Sequence, residues 1–289
     1  MRLLDSGTGG GGGGGSAWLL TGNAGTNPAT NFLGTTDAQP LVIRVNNQET
    51  FRFNPPGTSA PAWSIQRGGG NTRGLHAVDL QSARSAATQV ASGNYSVIGG
   101  GQNNTASGDY ATVGGGYDNT ASGGAATVGG GPNNTASGDY ATVSGGYFNT
   151  ASGLLATVGG GLQNTASAGG ATVGGGLQNT ASASGATVGG GSGNTASGGA
   201  ATVGGGESNT ASGSHSVVPG GYSNTANANY NLVFGQDVDP SVTETHRVYF
   251  FGTEAHLPFV APAFSSSTGS MGTFPSMSVQ IIQTATGHA

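Results

Sequence analysis

Residues 104–118 read NTASGDYATVGGGYD, and this 15-residue unit decides the fold. The pattern NTASGxxATVGGGxx occurs as eight full copies between Asn104 and Ser223, with no slip in its spacing. A divergent copy, QVASGNYSVIGGGQN, precedes them at residues 89–103, and a truncated copy follows at 224–235. A constant period of this kind predicts a repetitive structure with one coil per unit. Coil positions are numbered below from the asparagine, which is position 1.

The asparagine at position 1 is the most regular residue of the repeat. We interpret it as a structural ladder, in which each side-chain amide bonds to backbone groups and to the asparagines of neighbouring coils. The residues of this predicted ladder are Asn104, Asn119, Asn134, Asn149, Asn164, Asn179, Asn194, Asn209 and Asn224.

Alternation within each unit predicts two short β-strands. In ATV the alanine and valine share one face, and in NTAS the alanine faces inward, so the predicted core has two alanines and one valine per coil. The core valines are Val113, Val128, Val143, Val158, Val173, Val188, Val203 and Val218. Three consecutive glycines per unit would cost a helix roughly 3 kcal/mol relative to alanine. The predicted fold class is all-β, a parallel β-roll or solenoid of 15-residue coils with small β flanking segments.

Glycine contributes 59 of the 289 residues, and in the repeat it lies at position 5 and positions 11–13. We expect these glycines to form tight bends, because positive φ is cheap for glycine. The core is thin: burying one valine returns about 1.5–3 kcal/mol, whereas fixing 15 backbones costs on the order of 15–30 kcal/mol. We therefore expect several rolls to pack together along a rod of roughly 50 Å, which is ten coils at strand spacing.

The composition excludes several classes of function. Charged residues are 7% of the chain and all seven basic residues are arginine, which argues against a nucleic-acid partner. Cysteine is absent, so disulfides and thiolate sites are excluded. No apolar stretch approaches the roughly 18 residues of a membrane helix, so membrane insertion is not expected. No GxSxG elbow or recurring carboxylate pair is present, and neither an enzyme activity nor a cofactor is predicted.

The repeat NTASGxxATVGGG resembles the head repeats of trimeric autotransporter adhesins, which form left-handed parallel β-rolls in threefold assemblies. Thr21–Phe53 and Gly74–Gly93 are similar to segments of phage tail-fibre and spike proteins, where they precede the same repeats. The resemblance implies a homotrimer. The amino terminus does not read as an export signal, and neither a membrane anchor nor a chaperone domain is recognisable. The first departure favours a virion protein over an adhesin.

Four segments are predicted on this basis. Residues 1–16, with seven consecutive glycines, form a tether or docking peptide, and residues 17–88 form a β-rich attachment or trimerisation segment with strands at Leu41–Val45 and Phe51–Phe53. Residues 89–236 form the β-roll. Residues 237–289 form a small cap, with strands expected at Arg247–Phe251 and Ser278–Gln283.

The predicted function is that of a structural fibre or spike of a phage virion, a rigid trimeric shaft for host attachment. Its expected partners are two further copies of the chain, other virion proteins at the amino-terminal segment, and a host surface receptor such as a glycan. A bacterial cell-surface adhesin passenger is the alternative, with an extracellular location instead of the virion. A threonine lattice that binds ice is a third hypothesis, opposed by the ordinary preference of threonine for exposed strands.

Candidate contact residues are the tyrosines of the early coils. Tyr110 and Tyr140 share one coil position, and Tyr117 and Tyr147 share another. With neighbouring carboxylates they have the chemistry to bind a sugar, although seals between subunits or turns would use the same residues. Calcium-binding repeats need an aspartate in every turn, which this repeat lacks. His246, Glu254 and His256 do not have the spacing of a metal motif, and we expect them to be solvated loop residues.

Overall fold

A computed structural model describes residues 37, 39–55, 64–67, 70–237 and 245–250. Across these ranges the chain is all-β without a helix and forms a parallel β-solenoid of about 12 coils of roughly 15 residues. The predicted solenoid and its coil length are therefore confirmed. Each complete coil contains two strands of two residues, which we call the TA strand and the TV strand after their usual sequence.

The TA strands form one parallel sheet and the TV strands another. The TA strands are Thr105–Ala106, Thr120–Ala121, Thr135–Ala136, Thr150–Ala151, Thr165–Ala166, Thr180–Ala181, Thr195–Ala196, Thr210–Ala211 and Thr225–Ala226. The TV strands are Thr112–Val113, Thr127–Val128, Thr142–Val143, Thr157–Val158, Thr172–Val173, Thr187–Val188, Thr202–Val203 and Val217–Val218, with Val78–Asp79 and Val97–Ile98 before them and Leu232–Gln236 and Val248–Phe250 after them. Gly221–Tyr222 is a short strand beside Leu232–Gln236.

The register is constant, so equivalent residues of adjacent coils lie one above the other. Thr135 pairs with both Thr120 and Thr150, and the same holds in the TV sheet for Thr142. Because the period of the sequence equals the length of the coil, every position of the repeat forms a column along the solenoid. Side chains at one position of the repeat therefore recur along the solenoid at the strand spacing of about 4.8 Å.

The interior contains the small apolar residues of each coil. Ala106, Ala111 and Val113 are fully buried, and so are their equivalents in the following coils. The threonines of the same strands face outward and are half-buried. This arrangement follows from the two-residue alternation of a strand, in which successive side chains point to opposite faces.

A buried polar cluster closes the amino-terminal end of this core. In the first coil Asp79 occupies the position that valine holds later, since it pairs in register with Ile98. The guanidinium of Arg73 donates to Asp79 through Nε at 2.8 Å, and Arg84 approaches the same carboxylate at 3.2 Å. Burial lowers the pKa of Arg73, and the charge of Asp79 opposes that change. We call Arg73, Asp79 and Arg84 the end plug.

Parallel pairing extends on both sides of residues 89–236. Upstream, a hairpin of Leu41–Val45 and Gln48–Phe53 leads into Ile65–Gln66, which pairs in parallel with Val78–Asp79. Downstream, Val248–Phe250 pairs with Leu232–Gln236 and places Tyr249 in the core. The hairpin strands and the first carboxy-terminal strand lie where the sequence predicts them. The tether at residues 1–16 and the strand predicted at 278–283 lie outside the described residues.

The glycines act differently from the prediction. Of the three consecutive glycines, the third, such as Gly116, has positive φ in every coil, but position 5 does not. A Cβ on Gly108, at position 5, would overlap the carbonyl oxygen of Gly123 in the next coil. Position 5 therefore selects small residues because the backbones of adjacent coils approach closely there.

Candidate functional site

The asparagines at position 1 are completely buried and hold adjacent coils together. Asn149 is typical: its Oδ1 accepts from the backbone N–H of Asn164 at 2.9 Å, and its Nδ2 donates to the carbonyls of Gly145 at 3.0 Å and Gly161 at 2.8 Å. The same contacts recur from Asn104 to Asn209, and Asn224 keeps both bonds from its Nδ2 to glycine carbonyls. Each amide thus satisfies backbone groups of the glycine turn in its own coil and in the next. This role is structural and leaves the asparagines inaccessible to a ligand.

Position 7 lies in the turn between the TA and TV strands and carries a column of exposed aromatic residues. Every residue of this column has φ between 52° and 67°, the left-handed region. From the first coil to the last, the column consists of His76, Tyr95, Tyr110, Ala125, Tyr140, Leu155, Gly170, Gly185, Ala200, His215, Tyr230 and His246. The sequence predicted contact residues only at Tyr110 and Tyr140 of this column. His76 and His246 are out of phase, since they lie 19 and 16 residues from the next member. Tyr95, His215 and Tyr230 are in phase, but a single unit gives no sign that their rings stack between coils.

Aromatic rings of this column stack at both ends of the solenoid. At the amino-terminal end the ring of Tyr95 lies 4.7 Å from that of His76 and 5.0 Å from that of Tyr110, measured between centroids. At the carboxy-terminal end Tyr230 stacks between His215 at 5.0 Å and His246 at 4.6 Å. The interplanar angles are 2–18°. Two aromatic ladders, each with one ring per coil, therefore flank the middle of the roll.

The amino-terminal ladder is interrupted by one small residue. Ala125 occupies position 7 between Tyr110 and Tyr140, whose side chains are each 62% exposed. Two strand spacings separate these tyrosines along the column, about 9.6 Å. We call this gap, bounded by Tyr110, Ala125 and Tyr140, the ring slot.

A carboxylate lies next to the ring slot. Oδ1 of Asp139, at position 6, accepts from the backbone N–H of Gly124 at 2.8 Å, so the side chain reaches back to the coil that contains Ala125. Asp109 makes the equivalent contact one step earlier, to the N–H of Asn94 at 2.8 Å. Because one oxygen of Asp139 binds Gly124, the other remains available as an acceptor beside the slot.

Position 14, in the second turn of the coil, carries an apolar column over five successive coils, exposed except at the half-buried Pro132. We call Tyr117, Pro132, Tyr147, Leu162 and Leu177 the apolar stripe. The side chains of its two leucines are 36% and 38% exposed, and its two tyrosines are 48% and 43% exposed. Backbone bridges connect the column from coil to coil, except between Pro132 and Tyr147, because proline has no N–H to donate. Tyr117 and Tyr147 thus lie in a different turn from Tyr110 and Tyr140.

The remaining site hypotheses concern threonines, metals and membranes. The two threonine columns are in register but only half exposed. No group of three or more metal-ligating side chains occurs among the described residues, and His246 stacks on Tyr230 there. Glu254 and His256 lie outside them. The part of the chain that the structure describes contains no helix capable of crossing a membrane.

Neither a family model nor a curated protein matches this chain.

Proposed function

We propose that the chain is a structural fibre or spike protein of a phage virion, which forms a rigid trimeric shaft for host attachment. The observation that carries the proposal is a continuous solenoid of about 12 coils that exposes an apolar stripe along one turn. At strand spacing these coils span roughly 55–60 Å. Such a rod separates its two ends, which is what attachment at a distance requires.

Rigidity follows from the hydrogen bonds. Each coil donates its strand N–H groups to the next, as from Thr105 to Asn119 at 2.8 Å and from Thr112 to Ala126 at 2.9 Å. The buried asparagines add a second set of bonds in the turns. Because every coil is bound to its neighbour at several points around its circumference, bending at one junction would break several bonds together.

The apolar stripe supports the association of copies. An exposed row of leucine and tyrosine side chains on a roll whose interior contains mainly alanine and valine has apolar area to bury against another molecule. Three parallel copies would bury the three stripes against one another and thicken the core that each roll lacks. Three copies also present three equivalent sets of surface contacts, so weak individual binding becomes firm attachment.

Charge introduced into the stripe tests the assembly. In the double variant Leu162→Asp/Leu177→Asp, carboxylates would have to be buried between copies, so we expect a trimer of the parent chain to dissociate to monomers in sedimentation equilibrium. Ser184→Asp, an exposed position in the opposite turn, is the matched control and should remain trimeric. A parent chain that is monomeric over the micromolar range would overturn the trimer.

Labelling tests the location. Gold-conjugated antibody against residues 104–223 should decorate fibres that project from virus particles purified from a lysate of the producing cells. Label on the surface of intact cells and none on particles would instead identify an adhesin passenger.

A further inference from the structure

We propose that the ring slot is a carbohydrate-binding site, in which Tyr110 and Tyr140 hold one pyranose ring between them over Ala125 and Asp139 accepts hydrogen bonds from its hydroxyl groups. This inference deepens the proposed attachment function and depends on it for its biological role. The binding itself does not depend on whether the rod belongs to a virion.

The stacked ladder provides the geometry. Its rings repeat at 4.6–5.0 Å with nearly parallel planes, so the column already places a ring at each coil where the side chain permits one. At Ala125 the ring is missing while both neighbours are present. Tyr110, whose ring stacks on Tyr95, and Tyr140, two coils further on, therefore border a position of the column that holds no ring. Both tyrosines are exposed, so a ligand can reach this space from solvent.

The width of the slot accommodates one ring. Two strand spacings give it about 9.6 Å along the column. Tyr95 occupies the same width between His76 and Tyr110, whose rings lie 4.7 and 5.0 Å from its own, so a planar ring fits such a space as well as a saturated one. The width therefore admits one six-membered ring, and the polar surroundings decide which kind.

The polar surroundings favour the same ligand. Asp139 is exposed, and its Oδ1 is positioned by the N–H of Gly124 immediately before Ala125. Its second oxygen can accept from the hydroxyl groups at the edge of a sugar ring, and such bonds to a charged acceptor are stronger than neutral ones. An apolar ring offers no donor to this exposed carboxylate, so it would not gain the bonds that a sugar makes there.

The backbone provides a variant that fills the slot without disturbing the fold. Ala125 has φ of 54°, and the tyrosines of the same column have φ of 58–62°. Ala125→Tyr therefore adds a ring in a conformation that Tyr95, Tyr110, Tyr140 and Tyr230 already adopt. Ala200→Tyr is the matched control, because Ala200 has the same coil position and φ of 52° but lies between Gly185 and His215.

The test uses saturation-transfer NMR on the full chain with the methyl glycosides of glucose, galactose, mannose and N-acetylglucosamine, and with p-cresol as a planar aromatic probe. We expect at least one glycoside to receive saturation at its ring C–H protons. Ala125→Tyr should abolish this transfer and Ala200→Tyr should preserve it. Asp139→Asn keeps an acceptor for Gly124 but removes the charge, and should weaken binding roughly three- to tenfold.

Each other outcome contradicts the proposal. Binding of p-cresol without any glycoside would make the slot a site for an aromatic side chain of a partner. Equal binding by Ala125→Tyr would place the sugar elsewhere, and no binding of any probe would reject the site. A different set of results would overturn the attachment proposal: a monomeric parent chain in sedimentation, or label on cells and none on particles. Failure of the sugar site and failure of the attachment function can therefore be told apart.

Discussion

At the residue scale, the asparagine of position 1 shows why one amide is repeated where other polar residues vary. Asn149 uses its Nδ2 for the carbonyls of Gly145 and Gly161 and its Oδ1 for the N–H of Asn164. The Gly161 carbonyl also accepts from the N–H of Tyr147, whereas Gly145 and Asn164 lie in the turn and depend on the amide. Neither serine nor threonine has enough donors and reach for this role. A buried amide of this length is therefore required once per coil.

Replacing one asparagine tests this requirement. In Asn149→Leu the carbonyl of Gly145 and the N–H of Asn164 lose the partner that Asn149 supplies in a buried turn, so we expect a loss of about 2–4 kcal/mol in the free energy of unfolding. Urea unfolding followed by circular dichroism measures it. Thr150→Val, which removes a hydroxyl from the adjacent half-buried position, is the control and should change stability by less than about 0.5 kcal/mol. Equal effects of both variants would contradict the ladder.

The substitution Asn149→Asp should make the stability of the folded chain depend on pH. The new carboxylate would face two carbonyl oxygens in a buried turn, so its pKa in the folded chain should rise above the roughly 3.9 of an unfolded aspartate. A group with a raised folded pKa stabilises the fold below its unfolded pKa, and that stability disappears as pH rises through the folded value. The variant should therefore unfold more readily at pH 7 than at pH 4, relative to the parent chain at each pH. A pH-independent difference from the parent would contradict this environment.

Two left-handed positions per coil could not be predicted from the sequence. Positions 7 and 15 have positive φ in every coil, and glycine, asparagine or aspartate, which favour that conformation, occupy only some of them. Tyr110, Leu155 and Gln163 adopt it without any such signal. The turn geometry is imposed by the bonds between coils, since the N–H of Leu155 donates to the carbonyl of Asp139 in the preceding coil. Tertiary contacts thus override the local preference for glycine.

At the element scale, the first coil differs from the others because it has no coil before it. Gln81 replaces the missing asparagine: its Oε1 accepts from the N–H of Asn104 at 2.8 Å, and its Nε2 donates to the carbonyls of Gln89 and Asn104. Asp79 and Arg73 close the core below Ile98. The repeat is visible in the sequence only from residue 89, because four extra residues between Gly74 and Gly93 hide the phase of this coil.

Substitutions of Arg73 and Asp79 in the end plug should have non-additive effects on the free energy of unfolding. Asp79→Val alone leaves the guanidinium of Arg73, which is 2% exposed, without its main partner, and should reduce the free energy of unfolding by about 3–5 kcal/mol. Arg73→Met combined with Asp79→Val removes the more deeply buried of the two arginines together with its carboxylate and leaves Arg84 as the remaining charge of the plug. This double variant should be less destabilising than Asp79→Val. Thermal unfolding of the two single variants and the double variant measures the coupling. Additive effects would show that the two side chains act independently.

At the scale of the whole molecule, the period of the sequence determined most of what could be predicted. A spacing of 15 with alternating small apolar residues is sufficient to infer parallel coils, two strands in each and an alanine and valine interior. The ring slot could not be predicted in the same way, since it depends on how the rings of Tyr95 and Tyr110 stack across coils and on the reach of Asp139 to Gly124. These are contacts between coils, which the sequence of a single unit does not contain.

A solenoid whose coils contact only their neighbours should tolerate the loss of one complete coil. Deleting residues 149–163 joins Phe148 to Asn164 in phase, so we expect the chain to fold with the same circular dichroism spectrum. The rod should be shorter by one strand spacing, about 4.8 Å. Small-angle X-ray scattering gives the maximum dimension. Deleting residues 149–155 instead joins Phe148 to Ala156 out of phase, which puts a TV strand where a TA strand belongs and removes a ladder asparagine. This shorter deletion should cost more stability than the longer one. A longer deletion that destabilises as much as the shorter one would show that stability depends on the particular coil removed, and not on the phase of the repeat.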